Sequence, residues 1–358
     1  VITQASFAAS ALQQSMVAAA DGFVARVVEK EDVDGTGFGA SPVTVADFTI
    51  QALILGALAE AFPNDRFIAE ETSEQLIAAG GGAVQAVVSA VTQFSVASTV
   101  EENAIDSSEE NSSIRNTDAV LAALDLGASG SRDEWSRSGR TWVLDPIDGT
   151  KGFMRGDHFA VALALLNEGN PVIGLLGCPT LPAKEPAVTG AEGKKSGTTG
   201  TIFWAERGYG AYARPMHSGQ DTKVSVEVLF DPSRLVRVEA FEASHSSHSV
   251  AAAAAEALQL TTPPIRMDGQ GKYGLVSRGE AHIYMRLPRE GYVENIWDHA
   301  AGSILVEEAG GTVTDLSGKP LDFSLGSKLS RDVQGILATN GVMHDWVLKQ
   351  LINARNSV

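Results

Sequence analysis

The sequence contains a single cysteine, Cys178, among 358 residues. One cysteine cannot form an intramolecular disulfide, which excludes a secreted scaffold held together by disulfides. Cys178 also ends an apolar run over 175–178, where a buried and unreactive thiol is expected. No stretch reaches the roughly 18 consecutive apolar residues that a membrane-spanning helix requires. The sequence therefore predicts a chain that neither spans a membrane nor depends on disulfides.

Basic residues are also scarce. Lys and Arg total 27 against 44 Asp and Glu, which gives a formal net charge of −17 at pH 7. Nucleic-acid polymers and anionic membranes both require a basic surface, so neither is an expected partner. A small anionic substrate is compatible with this charge if metal ions or a few local cations offset it. We expect a soluble intracellular protein, cytoplasmic or organellar; because the sequence begins at Val1 rather than methionine, a removed transit peptide stays open.

The chain is long enough for two domains. We expect an N-terminal α+β unit over residues 1–232, which holds an antiparallel sheet and most candidate metal ligands, and a C-terminal α/β unit over 233–358. The predicted helices cover 2–29, 44–62, 250–258, 298–309 and 344–352. The predicted strands cover 66–69, 159–166, 171–178, 201–204, 236–240, 281–287, 312–315 and 335–339. Polar or Gly-rich stretches over 32–40, 97–117 and 189–200 are predicted loops.

The stretch over 142–150, which reads WVLDPIDGT, carries the strongest functional signal. Pro146 restricts its own φ and favours extended backbone at Asp145, so the preceding strand cannot continue as a helix. Gly149 permits a tight bend after Asp148. We therefore expect a strand that ends in a rigid turn carrying two carboxylates, which is either a metal site or an unusually acidic turn.

Four further carboxylates stand where a helix or a strand meets a loop: Asp47, Glu70, Glu71 and Asp298. Taken singly they have simpler explanations, since an aspartate at a helix start is commonly a cap and a glutamate pair is commonly solvated. The pattern D-x-x-D-G-T after an apolar strand favours a metal site instead. Carboxylates and a backbone carbonyl, here that of Ile147, are the oxygen ligands that Mg²⁺ prefers.

The run over 142–150 resembles the signature of the inositol monophosphatase superfamily of metal-dependent phosphatases. Residues 297–302 (WDHAAG) and 308–311 (EAGG) resemble its second signature. Other runs resemble the 3′(2′),5′-bisphosphate nucleotidase branch: SPVT at 41–44, TKGF at 150–153, SHSSH at 244–248, KY at 272–273 and YMRLP at 284–288. The resemblance extends in order from residue 42 to residue 322. It implies a mixed α+β and α/β fold in five layers, an αβαβα sandwich.

The resemblance also implies two or three Mg²⁺ ions in each active site. The ligands of the first would be Glu70, Asp145 and the carbonyl of Ile147. The ligands of the second would be Asp145, Asp148 and Asp298, and a weaker third ion would be held by Asp47 and Glu70. Asp47 and Thr150 would orient and deprotonate the attacking water, and inhibition by lithium or sodium at a metal position is implied.

The implied substrate is 3′-phosphoadenosine 5′-phosphate, hydrolysed to AMP, with the corresponding 5′-phosphosulfate as a further candidate. The residues implied to contact the nucleotide are Thr150, His245, Gly269, Lys272, Arg286 and Asp298. Two other functions stay open. The first is a phosphatase of the same superfamily that acts on inositol polyphosphates or other sugar phosphates, and the second is a non-catalytic acidic protein that binds cations.

One position departs from the branch. Where the branch usually has D-S-Q-A-K-Y, residues 268–273 read DGQGKY, so Gly269 stands in place of a serine. If that serine hydroxyl contacts the substrate, restoring it by Gly269→Ser should tighten nucleotide binding, and this is the outcome we expect. A positive φ at Gly269 would reverse the effect, because serine tolerates that conformation poorly.

Overall fold

The computed structural model describes residues 1–18, 28–29, 42–97, 116–130, 139–183, 200–217, 219–241, 248–289 and 291–357. The helices in these ranges are α1 (Ile2–Ala18), α2 (Val45–Ala61), α3 (Ser73–Ala78), α4 (Gly81–Ala97), α5 (Thr117–Asp125), α6 (Thr150–Arg155), α7 (His248–Ala257), α8 (Gly271–Ser277), α9 (Ala300–Glu308) and α10 (His344–Ser357). The strands are β1 (Val28–Glu29), β2 (Pro42–Val43), β3 (Arg66–Ala69), β4 (Arg140–Asp148), β5 (Ala160–Asn167), β6 (Asn170–Cys178), β7 (Thr201–Glu206), β8 (Gly210–Pro215), β9 (Thr222–Val224), β10 (Arg237–Glu239), β11 (Ile265–Arg266), β12 (Ile283–Arg286), β13 (Thr312–Asp315) and β14 (Ile336–Thr339). Among the described helices, none is both long enough and apolar enough to cross a bilayer.

The larger sheet has seven strands in the order β3-β4-β5-β6-β7-β8-β9. β3 and β4 are parallel, and every later neighbour is antiparallel, so β4 to β9 form a meander. The interior strand β5 reads AVALALLN and is buried at each of its first seven positions. A strand covered on both faces needs apolar residues throughout rather than alternation, which explains this run.

The smaller sheet has five strands in the order β11-β10-β12-β14-β13. β10 is parallel to both β11 and β12, whereas β14 is antiparallel to β12 and to β13. β14 reads ILAT and is buried at all four positions, as expected for a strand with neighbours on both edges and cover on both faces.

The helices pack around the two sheets in layers. α1 and α2 cover one face of the larger sheet, where Ile50 and Ile54 of α2 share an apolar cluster with Leu144 of β4. α8 and α9 fill the space between the sheets, since residues of both helices are buried together with residues of β5 and β14. α7 and α10 cover the outer face of the smaller sheet. The predicted αβαβα sandwich is confirmed.

Several predicted boundaries are wrong. The helix expected over 2–29 is described only to Ala18, and Val28–Glu29 pairs as a strand with Pro42–Val43. The turn expected to carry Asp145 and Asp148 is part of β4, which continues to Asp148 because Asp148 pairs with Ala160 of β5. The helix expected to begin at Asp298 begins at Ala300. The predicted loops over 32–40 and 189–199 and most of 97–117 lie outside the described residues.

The predicted division near residue 232 falls between β9, the last strand of the larger sheet, and β10, the first of the smaller one. A single apolar cluster nevertheless includes residues from both sides of that boundary, among them Phe203 and Tyr284. Two units that share a core stabilise each other. The division of the chain into two domains at this boundary stays a prediction.

Candidate metal and phosphate site

Asp145 and Asp148 lie at the end of β4. In a regular strand, residues three apart point to opposite faces of the sheet. Here the register against β5 shifts: Asp145 faces Ala162 and Asp148 faces Ala160, so β4 has one extra residue over this interval. A bulge of this kind re-aims side chains, and it brings the two carboxylates towards one site. Asp145 is buried, and its Oδ1 accepts a hydrogen bond from the Ile147 N–H at 3.1 Å.

Asp298 approaches the same site from the smaller half of the molecule, two residues before α9. The preceding backbone is held by residues 327–329: the Ile296 N–H donates to the Ser327 carbonyl at 3.0 Å, and the Leu329 N–H donates to the Glu294 carbonyl at 2.9 Å. One carboxylate oxygen from each of Asp145, Asp148 and Asp298 lies within 4.8 Å of the others. The predicted ligands of the second ion are therefore brought together.

The electrostatics of this aspartate cluster (Asp145, Asp148 and Asp298) require compensation. Burial raises the pKa of Asp145 and of Asp298 well above the ordinary value, and neighbouring carboxylates raise both further. Burial also raises the pKa of Asp148, although Lys272 and Arg286 act in the opposite direction. Three carboxylates sharing one small volume repel one another unless protons or a cation intervene. An all-oxygen donor set of this charge fits Mg²⁺.

Glu70 stands just after β3, where Gln51 of α2 holds the bend. The Glu71 N–H donates to Gln51 Oε1 at 2.9 Å, and Gln51 Nε2 donates to the Glu71 carbonyl at 2.6 Å. Glu70 raises the pKa of both Asp145 and Asp148, which places its charge near theirs. The charge of Glu70 is therefore near the cluster, although Glu70 is not among the carboxylates that lie within 4.8 Å of one another, and its role as a ligand of the first ion stays a prediction.

Asp47 and Thr150 meet beside the cluster. Asp47 is the third residue of α2, and its Oδ2 accepts from the Thr44 backbone N–H at 2.7 Å and from the Thr44 hydroxyl at 2.6 Å. This capping box leaves Oδ1 facing the Thr150 hydroxyl, 3.4 Å away. The Thr150 hydroxyl also donates to the Ile147 carbonyl at 3.1 Å. A carboxylate, a hydroxyl and a carbonyl thus stand next to the candidate metal ligands.

Two of the residues predicted to hold substrate are cations near the aspartate cluster. Lys272, on α8, is buried, and its Nζ donates to the Gly269 carbonyl at 2.6 Å. Burial lowers the pKa of Lys272, while Asp148, Asp268 and Asp298 raise it. Arg286 ends β12, and its Nε donates to Glu294 at 2.7 Å. Both cations act on the pKa of Asp148, so both are near the cluster.

Gly269 has a conformation that a serine would not adopt easily. Its φ is +71°, and a Cβ added there would come within 2.5 Å of the Asp148 carbonyl oxygen and 3.0 Å of the Ala160 nitrogen. The expectation that Gly269→Ser would tighten binding is therefore wrong, because the loop is packed directly against the end of β4. Gly269 can offer only backbone to a substrate. His245, also predicted to contact the nucleotide, lies outside the described residues.

A second buried group of polar side chains adjoins the aspartate cluster and was not predicted. Glu294 Oε1 accepts from Arg286, Glu294 Oε2 lies 3.1 Å from His299 Nε2, and His299 Nδ1 lies 2.9 Å from the Tyr273 hydroxyl. Burial alone would raise the pKa of Glu294, but Arg286 and His299 lower it to about 2. In the sequence, Glu294 is a single acidic residue near a tryptophan, and no feature around it distinguishes it from a solvent-exposed glutamate.

Comparison with known proteins agrees with this geometry. The model of the inositol monophosphatase family matches residues 3–355. The chain belongs to this family. Among solved structures, an IMPase from Thermotoga maritima aligns with 97% of this chain and 95% of its own length, at a TM-score of 0.55 and 20% identity. The extragenic suppressor protein suhB of Bartonella henselae gives a TM-score of 0.54 over 96% of this chain and 95% of its own, also at 20% identity. These likenesses confirm the fold.

Sequence relatives within the family are more similar. A protein of Oryza sativa named 3′(2′),5′-bisphosphate nucleotidase is 42% identical over 318 residues, which cover 88% of this chain and 84% of the relative. Proteins of the same name from Emericella nidulans and Schizosaccharomyces pombe are 39% and 36% identical, over 86% and 84% of this chain and 87% and 81% of their own lengths. The resemblance to the bisphosphate nucleotidase branch is confirmed by these names.

Proposed function

We propose that this protein is a Mg²⁺-dependent phosphatase that removes the 3′-phosphate of 3′-phosphoadenosine 5′-phosphate and releases AMP. The observation that carries the proposal is the aspartate cluster, whose three carboxylates lie within 4.8 Å of one another, with Lys272 and Arg286 beside it. The cluster supports metal-assisted chemistry on a phosphate, and the two cations support a substrate with a further phosphate. The names of the relatives support the nucleotide class.

The residues that would hold Mg²⁺ are Glu70, Asp145, the Ile147 carbonyl, Asp148 and Asp298, with Asp47 as a contributor to a third position. When bound, Mg²⁺ offsets the charge of the phosphate and lowers the pKa of a coordinated water. The raised pKa values of the aspartates support this assignment, because a cation would relieve the repulsion that raises them. Lithium or sodium would inhibit by competing for these ligands.

Thr150 and Asp47 handle the attacking water in this proposal. The Thr150 hydroxyl lies within reach of both the Ile147 carbonyl and Asp47 Oδ1, so it can accept a hydrogen bond from a water while donating to one of them. Asp47 accepts the proton, since its Oδ1 faces Thr150 while its Oδ2 is held by Thr44. In-line attack then needs no covalent intermediate. The buried Cys178, whose pKa burial raises to about 12, is a poor nucleophile.

Lys272 and Arg286 bind the second, non-reacting phosphate in this proposal. The guanidinium of arginine offers paired donors that match phosphate oxygens, whereas lysine contributes a point charge. In a chain of net charge −17, these local cations make an anionic substrate acceptable at this position. His245 and the backbone at Gly269 complete the proposed nucleotide contacts, and the 5′-phosphosulfate analogue is a further proposed substrate.

A substrate panel tests the proposal. Phosphate release is measured from 3′-phosphoadenosine 5′-phosphate and from inositol 1-phosphate, each with Mg²⁺ and with a chelator. We expect Mg²⁺-dependent release with a kcat/KM at least about 100-fold higher for the nucleotide, because a charge-assisted contact to a second phosphate is worth a factor of this order. A preference for inositol 1-phosphate would assign the chain to a different activity, and no release from either would exclude both.

A further inference from the structure

Glu294 is an ionised carboxylate held in the interior next to the proposed active site. Its side chain is fully buried, with no exposed surface. It lies four residues before Asp298, and one oxygen atom of Glu294 is within 4.8 Å of a ligand atom of Asp298 and of His299. Burying a charge is costly unless it is fully paired, so a carboxylate at this position calls for an explanation.

Both oxygens of Glu294 are used. Oε1 accepts from Arg286 Nε at 2.7 Å, and Oε2 lies 3.1 Å from His299 Nε2. Because an ionised carboxylate only accepts hydrogen bonds, Nε2 of His299 carries the proton and donates. Nδ1 of His299 then accepts from the Tyr273 hydroxyl, 2.9 Å away. The result is a chain of hydrogen bonds in the order Arg286, Glu294, His299, Tyr273.

The far end of this chain is fixed by packing. The Tyr273 ring lies against α9 at Gly302, where an added Cβ would come within 2.1 Å of the ring. The ring is fully buried and makes an edge-to-face contact with Tyr284 of β12 at 4.9 Å between centroids. Close packing therefore restricts the side chain of Tyr273, and its link through His299 restrains the Glu294 carboxylate.

The near end of the chain is the guanidinium of Arg286. Among the described residues its hydrogen bond is made through Nε, which leaves the Nη groups to bind a ligand. The guanidinium carbon lies 5.9 Å from the centroid of the Tyr292 ring, and the charge of Arg286 acts on both Asp148 and Asp298. The guanidinium of Arg286 is therefore near the aspartate cluster.

We propose that Glu294 is a positioning residue, whose carboxylate holds the Arg286 guanidinium in the orientation that binds the second, non-reacting phosphate of the substrate. This inference rests on the proposed function, because only a substrate with a second phosphate uses Arg286 in this way. A guanidinium fixed in advance loses little side-chain entropy on binding, and its planar fork must be correctly oriented to meet two phosphate oxygens.

The test compares two nucleotides that differ only in the second phosphate: 3′-phosphoadenosine 5′-phosphate and adenosine 3′-monophosphate. KM and kcat are measured on the full chain with Mg²⁺ for the wild type, Glu294→Gln, Arg286→Ala and the double variant. We expect Glu294→Gln to raise KM for the bisphosphate roughly tenfold to 100-fold, and KM for the monophosphate by less than about threefold. Arg286→Ala should do the same, and the double variant should add little to Arg286→Ala.

Two further variants keep the result interpretable. Glu294→Asp retains the buried charge but shortens the side chain, so it should fold and show the same selective loss to a smaller degree; it decides the matter if Glu294→Gln is insoluble. Glu308→Gln is the matched control, at the opposite end of α9. Glu308 is also largely buried and also pairs with an arginine, Arg207 at 3.5 Å. Its replacement should leave the ratio of the two KM values unchanged.

The outcomes separate this inference from the proposed function. Equal losses on both nucleotides, or additive effects in the double variant, would overturn the positioning role while the phosphatase activity stands. If the wild type hydrolyses neither nucleotide, the proposed function fails, and calorimetric binding of AMP and adenosine decides the inference. The positioning role of Glu294 is supported only if the wild type binds AMP more tightly than adenosine and if Glu294→Gln and Arg286→Ala each abolish that difference.

Discussion

A cluster of three aspartates and a single buried glutamate, Glu294, adjoin each other in this protein and have opposite pKa shifts. In the aspartate cluster, burial and mutual repulsion raise the pKa values, and the charges of Lys272 and Arg286 do not reverse the effect of burial at Asp148. Glu294 is buried at least as deeply, yet its pKa falls to about 2 because Arg286 and His299 outweigh the effect of burial. Burial alone therefore does not decide the charge of a carboxylate. Glu294 has a paired cation within the chain, Arg286, whereas the aspartate cluster requires one from solution.

The largest expected effect comes from removing one charge from the aspartate cluster. Asp145→Asn should lower kcat by about 100-fold to 1,000-fold under saturating Mg²⁺, because Asp145 is a proposed ligand of two ions and its loss removes transition-state stabilisation. Without Mg²⁺ the variant should melt no lower than the wild type, since one repelling charge is gone. Steady-state kinetics and thermal melts measure both.

Asp315→Asn is the matched control for this substitution. Asp315 is buried at the end of β13, where its Oδ1 accepts from the backbone N–H groups of Ser317 and Lys319 at 2.8 and 2.9 Å. Its replacement should change the melting temperature without changing kcat. If Asp145→Asn retained more than about a tenth of the wild-type kcat, its role as a shared metal ligand would be wrong.

The next effect concerns the hydroxyl beside the aspartate cluster. Thr150→Val keeps the shape of the side chain but removes the group that lies between the Ile147 carbonyl and Asp47. We expect kcat to fall by about 100-fold, the lower end of the range for proton-transfer groups, with little change in KM. Thr150→Ser retains the hydroxyl and should recover most of the activity. A Thr150→Val enzyme with unchanged kcat would remove Thr150 from the mechanism.

A third, smaller effect tests the opposite pKa shifts directly. Raised carboxylate pKa values mean that the folded chain binds more protons than the unfolded chain, so the contribution of the aspartate cluster to stability is lost as pH rises. Mg²⁺ at 100 times its Kd should stabilise the fold by about 2.7 kcal/mol, and by less at acidic pH, where protons compete. Melting temperatures with and without Mg²⁺ between pH 5 and 8 (about the range in which proteins are most stable) measure this. A Mg²⁺ effect that did not grow with pH would contradict the assignment.

Glu294 should behave in the reverse sense. Its pKa is lowered from 4.5 to about 2, so its contribution to stability is present above the unfolded value and is lost as pH falls through that window. Glu294→Gln should therefore flatten the acid side of the stability profile and leave the response to Mg²⁺ intact. Loss of both responses in one variant would mean that the two groups act as a single network.

The sequence predicted a metal site at Asp145 and Asp148 because the signals there are local, whereas Asp298 was joined to that site only by the resemblance to the family. Pro146 lies between Asp145 and Asp148 and Gly149 follows them, after an apolar run, and these residue types favour extended backbone at Asp145 and a bend after Asp148. The bulge that brings the two carboxylates together was not predictable, because it depends on pairing with β5. The convergence of Asp298 on the same site depends on the packing of α9 between two sheets.

The Glu294 group escaped prediction for a related reason. Glu294 interacts with residues 8 positions before it and 5 after it, and the next link, Tyr273, lies 26 positions from His299. Hydrophobic periodicity in the sequence does not identify such a group. α3, by contrast, carries a signal that was overlooked: Thr72 and Gln75 form a capping box, with Thr72 N–H donating to Gln75 at 2.7 Å. Side-chain networks can be predicted only from the folded structure, whereas the start of a helix is determined by residues that are close in the sequence.

The smallest expected effect lies at Gly269, which is packed against the end of β4. Its carbonyl accepts from Lys272, and its α-carbon faces the Asp148 carbonyl. We expect Gly269→Ser to lower the stability of the fold by about 1–3 kcal/mol, from overpacking and from a positive φ. Because Asp148 and Lys272 would both be displaced, KM for 3′-phosphoadenosine 5′-phosphate should rise rather than fall. Melting temperature and KM are measured together.

Gly208→Ser separates the two causes of this loss. Gly208 also has a positive φ, +83°, but an added Cβ would meet nothing within 4 Å. This control should show only the conformational cost, of about 1 kcal/mol, and an unchanged KM. If Gly269→Ser destabilised the protein no more than Gly208→Ser does, the close contact with the Asp148 backbone would not contribute to the loss of stability. A lower KM for Gly269→Ser at unchanged stability would instead support the explanation that a serine hydroxyl is missing from the substrate site. Gly269 would then weaken substrate binding in this chain.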